Sequence, residues 1–88
     1  MWKKILYMKP SFNELAIKEL KRAREMHGPI HSIHEGYSIL LEEVDELWEH
    51  VRKKTKNRNP EEILEELIQI AAMCQKMAED VVIPHLKK

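Results

Sequence analysis

The 88 residues predict an all-α fold, a three-helix protomer, on three observations: sparse punctuation, legible helix starts, and apolar stripes of helical period. Two glycines and four prolines are the only strong breakers, and all but Gly36 fall between the expected helices or at their ends. Ser11 followed by Glu14 has capping-box spacing and opens a helix over about 11–26, whose stripe runs through Leu15, Leu20 and Ala23 to Met26. Gly28-Pro29 closes it. Ser32 followed by Glu35 repeats the box and opens a second helix over about 33–54. Asn59-Pro60-Glu61-Glu62 supplies a cap, a proline at the first helical position, and acid where the helix dipole favours it. The third helix so begun spans about 60–82, until Pro84 stops it.

The second helix carries Tyr37, Leu40, Leu41, Val44, Leu47, Trp48 and Val51; the third carries Ile63, Leu64, Leu67, Ile70, Ala71, Cys74, Ala78 and Val81. Both stripes are heptad-like and suit shallow-angle packing in a bundle. Tyr37 and Trp48 read as core side chains rather than base-stacking platforms, and Cys74, among Ala71, Ala72, Met73 and Met77, reads as a small buried hydrophobe. The short connection over residues 55–59 makes the second and third helices an expected antiparallel hairpin. No linker or low-complexity segment divides the chain, so 1–88 is read as a single domain. A chain this short buries only a modest core, and a partner subunit is expected to complete it, as a dimer with a four-helix-bundle core or as a tetramer. Trp2, Ile5, Leu6 and Tyr7 precede the first cap without a helical partner, and packing across a dimer and partial disorder both stay open for them.

Composition narrows the function. Hydrophobic residues make up 43% and charged residues 34%, too apolar for disorder and too charged for a membrane protein. With 15 Lys+Arg against 15 Asp+Glu, the basic excess of a general nucleic-acid binder is missing. One cysteine excludes an internal disulfide. The basic opening is cut by Lys9 and Pro10 before it reaches signal-peptide length, and no stretch approaches the ~18 apolar residues of a membrane span, so the cytoplasm is the expected location.

The informative feature lies beside the stripes. The second helix contains Glu42-Glu43-Val44-Asp45-Glu46, and the third contains Glu65-Glu66-Leu67-Ile68-Gln69. At about 100° per residue, Glu43 and Glu46 share one flank of their stripe and Glu66 and Gln69 share the matching flank of theirs, with Ile39 and Met73 alongside. Counted from the hairpin loop at ~1.5 Å per residue, Glu46 lies roughly 12 Å away, Glu66 roughly 9 Å and Gln69 roughly 13 Å. The four side chains therefore converge at one level. Solvated glutamates are common on helices, but a matched pair of acidic elements at one height is not. Three carboxylates and an amide oxygen form an oxygen donor set of the kind a hard cation such as Mg²⁺ takes.

This pattern, E-E-x-x-E on one helix and E-x-x-D on the next, resembles that of the MazG-like all-α nucleoside triphosphate pyrophosphohydrolases. Glu42, Glu43 and Glu46 match the first element, and Glu66 matches the start of the second. His27-Gly28-Pro29, Ser32 and His34-Glu35-Gly36-Tyr37 look like a small phage- or prophage-type branch of that family, so the resemblance covers residues from about 25 to 80. It implies Mg²⁺-dependent cleavage of a nucleoside triphosphate (ribo- or deoxyribo-) to monophosphate and pyrophosphate, with Mn²⁺ as a possible substitute. It also implies a homodimer with a four-helix core. The metal ligands would be Glu43, Glu46, Glu66 and Gln69, and Glu43 and Glu42 would be catalytic, Glu42 by orienting the attacking water. Gln69 stands where the family has aspartate. An amide oxygen coordinates but brings no charge, so a second reading is a helical interaction module that keeps the fold without turnover.

Other residues take ordinary readings. His27, His31 and His34 do not share a helical face, as three ligands of a zinc site would require. Arg52, Lys53, Lys54, Lys56 and Arg58 gather at a helix C-terminus and loop, where cations are favoured, and Lys18, Lys21, Arg22 and Arg24 read as a solvated face.

Overall fold

The computed structural model describes residues 10–86. Three α-helices account for most of them: α1 (Phe12–Met26), α2 (Ile33–Val51) and α3 (Pro60–Met77). A 3₁₀ turn, Thr55–Asn57, lies between α2 and α3; a π-helical turn, Ala78–Val82, and a second 3₁₀ turn, Ile83–His85, follow α3. No strand occurs among the described residues, and no helix there is long and apolar enough to cross a membrane. Trp2, Ile5, Leu6 and Tyr7 lie outside the described residues.

Each helix starts on a side-chain cap. Ser11 Oγ accepts from the Glu14 N–H at 3.1 Å, and Ser32 Oγ accepts from the Glu35 N–H at 3.0 Å. Asn59 Oδ1 accepts from the N–H groups of Glu61 and Glu62, with Pro60 in the first turn where no donor is missed. The ends differ from expectation. α2 stops at Val51 rather than near Lys54, because Arg58 folds back and donates to the Val51 carbonyl through Nε and Nη2, at 3.0 and 2.6 Å. α3 widens to a π turn after Met77, and the Ile83 N–H bonds back to Ala78 O. Pro84 cannot continue an α-helix, and the widening comes immediately before it.

Helix α3 packs against both other helices. Its buried side chains Ile68, Ala72 and Lys76, with Val81 beyond, meet the face of α1 formed by Leu15, Ala16, Leu20 and Ala23. Its other face meets α2. Gly36 near the start of α2 lies under Met77 at the end of α3, and His50 near the end of α2 faces Glu62 and Glu66 near the start of α3. A Cβ on Gly36 would stand 2.7 Å from Met77 Cγ, so any larger residue here would force the Met77 side chain to shift.

Four members of the apolar stripe of α2 are not core within one chain, while Leu40, Leu47 and Val51 are half-buried. Tyr37 is 60% exposed and Trp48 59%, and Leu41 and Val44 are exposed as well. The side of α2 turned to α3 is the one bearing Gly36, Glu43 and His50; at about 100° per residue Tyr37, Leu41, Val44 and Trp48 lie roughly a quarter turn or more round the helix, and Leu40 and Leu47 lie nearer the seam. Cys74, also expected inside, is exposed for the same reason on α3.

The segment between α1 and α2 is tied down by the end of α3. The Asp80 carboxylate accepts from the Ile30 N–H at 2.9 Å and from Arg24 Nη1 at 2.9 Å, while Arg24 Nη2 reaches Glu79 at 2.8 Å. Buried Lys76 donates to the Gly28 carbonyl at 2.7 Å and lies 3.8 Å from Asp80. Burial alone would raise the Asp80 carboxyl, but the Ile30 N–H and the Arg24 guanidinium outweigh it and hold it below its ordinary value. Asp80→Ala leaves Lys76 without its carboxylate and frees Ile30. The expected loss is about 2–3 kcal/mol of unfolding free energy, between that of a charge-assisted hydrogen bond and that of a fully buried ion pair. Urea denaturation at neutral pH measures it.

Candidate metal centre

Residues 43 and 46 are three apart on α2, so their side chains leave the same flank, and Glu66 leaves α3 opposite them. One carboxylate oxygen from each of Glu43, Glu46 and Glu66 lies within 4.8 Å of the other two. Glu43 and Glu66 are half-buried in the seam between the helices, and Glu46 is exposed at its edge. Among the described residues, no lysine or arginine pairs with any of the three. Glu43 Oε2 and Glu66 Oε2 are buried with no hydrogen-bond partner.

Such an arrangement is costly for three negative charges. Burial, reinforced by Glu46 and Glu66, pushes the Glu43 carboxyl up from an ordinary 4.5 to about 7. Burial and Glu46 also raise the Glu66 carboxyl. Two carboxylates with orphaned buried oxygens and a third at the edge, one oxygen of each within 4.8 Å of the others, make a donor set that a hard divalent cation fits. The residues present therefore suit Mg²⁺ or Mn²⁺.

Gln69 is half-buried, one turn along α3 from Glu66. Together with Glu43, Ile39 and Met73 it lines a cleft of about 140 Å³, closed on the other side by Glu19, Arg22, Ala23 and His27. Pockets that enclose whole ligands run to ~300–1,000 Å³, so this cleft is too small to enclose one. Its α1 wall is set by Glu19, which is buried and holds Arg22 through Oε2 at 2.6 Å. Glu42 is exposed on α2 and is not one of the three converging carboxylates.

His27, His31 and His34 are exposed, and among the described residues they form no ligand cluster. Arg58 holds the end of α2 and Arg52 pairs with Glu49 at 2.9 Å, so these members of the basic run have local partners. The residue that motif spacing did not single out is His50. Its Nδ1 lies 3.4 Å from Glu62 Oε2, and its Nε2 lies 3.9 Å from Glu66 Oε1. The signal was available, because position 50 is four beyond Glu46 and seven beyond Glu43 on one helix flank.

The elevated carboxyls give stability a definite pH dependence. Between pH 4.5 and about 7 the folded chain holds a proton on Glu43 that the unfolded chain has released. Unfolding free energy in the absence of divalent cations therefore falls as pH rises through that window. Urea midpoints in EDTA at pH 5 and pH 7.5 measure the fall, and Glu43→Gln is expected to reduce it.

Comparison with protein families, curated proteins and solved structures finds no match for this chain.

Proposed function

We propose that the chain is a divalent-cation-dependent nucleoside triphosphate pyrophosphohydrolase of the MazG-like kind, which converts a ribo- or deoxyribonucleoside triphosphate to monophosphate and pyrophosphate. The convergence of Glu43, Glu46 and Glu66 within 4.8 Å, from two separate acidic elements, carries this reading. Glu43, Glu46 and Glu66 would hold the cation, with the Gln69 amide oxygen beside them. The cation, when bound, neutralises phosphate charge and polarises the phosphoryl group. Glu43, beside the cation, would also take the proton of the attacking water as the anhydride bond between α- and β-phosphates breaks. Glu42, exposed at the adjacent position, orients that water from the solvent side. The small cleft beside Glu43 and Gln69 accommodates one substrate group while the rest extends outward.

The proposed enzyme is a dimer. Ile33, Tyr37, Leu41, Val44 and Trp48 recur at spacings of three and four along α2, and all are exposed in one chain, as is Leu67 of α3. Contiguous exposed apolar surface of this kind marks an interface. A second copy laying the same stripe against it turns two antiparallel α2–α3 pairs into a four-helix core. Leu41→Glu is expected to yield folded monomers in light scattering coupled to size exclusion; a dimer retained at low micromolar concentration would refute this interface.

A second reading, a helical interaction module without turnover, is favoured by Gln69 alone. One assay separates the two. Pyrophosphate release is measured on eight nucleoside triphosphates with Mg²⁺ or Mn²⁺, for wild type, Glu43→Gln and Gln69→Asp. The enzyme reading expects release in wild type, a loss of about 100-fold or more in Glu43→Gln, on the scale of a lost acid–base group, and faster release in Gln69→Asp. No release from folded wild type, with release appearing in Gln69→Asp, would establish the second reading.

A further inference from the structure

His50 lies beside the acidic centre although no acidic motif includes it. Residues 43, 46 and 50 lie within about 60° of one another around α2. The ring is only 20% exposed and stands between Glu62 and Glu66, at 3.4 Å and 3.9 Å. Those two carboxylates are one turn apart on α3, so a single imidazole spans both. Buried polar atoms in folded proteins are nearly always hydrogen-bonded. Among the described residues three buried side-chain atoms have no partner: Glu43 Oε2, Glu66 Oε2 and His50 Nδ1. All three belong to this one group of side chains.

His50 does not join the 4.8 Å triad itself. It stands behind Glu66, with Glu62, 49% exposed, on its outer side. Carboxylates that ligate a metal are themselves held by outer partners, which fix their orientation. We propose that His50, seated against Glu62, is a positioning residue that keeps the Glu66 carboxylate turned toward Glu43 and Glu46, so that the triad is preformed for a divalent cation. This rests on the metal-centre reading above. It gives Gln69 a counterpart: where one ligand position brings no charge, the remaining α3 carboxylate has a second residue from α2 beside it, 3.9 Å away.

Calorimetric titration of Mg²⁺ and of Mn²⁺ into the full chain tests it, with wild type, His50→Ala, His50→Gln, Glu62→Gln and Glu66→Gln side by side. Melting in EDTA, recorded for each, separates folding from binding. Loss of an outer partner typically weakens metal affinity 10–100-fold. His50→Ala is expected to fall in that range with its EDTA melting temperature little changed, and His50→Gln, which keeps an N–H, recovers part of the loss. Glu62→Gln weakens binding in the same direction by less. If His50→Ala fails to fold, His50→Gln and Glu62→Gln decide: wild-type affinity in both overturns the proposal. Wild-type affinity in the His50 variants beside lost binding in Glu66→Gln overturns the role of His50 and leaves the metal centre standing. Wild type that binds neither cation, or Glu66→Gln that binds as wild type does, overturns the metal centre and this inference with it.

Discussion

Helix α3 has to satisfy two neighbours at once, and the placement of every other element follows from that requirement. Toward α1 it offers Ile68, the most completely buried large side chain, and Ala72, whose small size lets the helices approach. Toward α2 it offers Glu62, Glu66 and Met77. Gly36 allows α2 to come close at one end of that contact. At the other end carboxylates and an imidazole stand between the helices beside half-buried aliphatic side chains. A seam between helices is normally where a small domain gains apolar burial; here it also takes in ionisable groups.

That choice has an energetic consequence, which the rest of the molecule offsets. The core is small: among the described residues Leu15, Leu20, Ile30, Ile68 and Val81 are its large buried apolar members. The Asp80 node adds directional bonds that close the loop between α1 and α2 onto the end of α3. The carboxylates oppose folding until a proton or a cation neutralises them. Because Glu43, Glu46 and Glu66 sit on helices rather than loops, their mutual distances are set by backbone geometry, as a preorganised site requires.

Much of this was legible in the chain. Ser11, Ser32 and Asn59 announce the helix starts because capping is a local hydrogen bond, closed within three residues. The flank shared by Glu43 and Glu46, and the height of Glu66 opposite them, follow from helix period and rise. Tyr37, Leu41, Val44 and Trp48 of the α2 stripe were legible as apolar but not as exposed, since a single helix cannot say which of two adjacent faces its neighbour will choose. Arg58 turning back onto Val51 depends on the path of a loop, and no local rule contains it.

By itself the sequence determined what is periodic or local: three helices, their caps, and two acidic elements in matching phase. The tertiary structure decided what depends on how one helix is rotated against another. It turned the Gly36–Glu43–His50 side of α2 toward α3, left Tyr37, Leu41 and Trp48 outward, and brought His50 behind Glu66. Rotation about a helix axis leaves every local hydrogen bond intact, so local rules are blind to it; only side-chain packing between helices selects the angle.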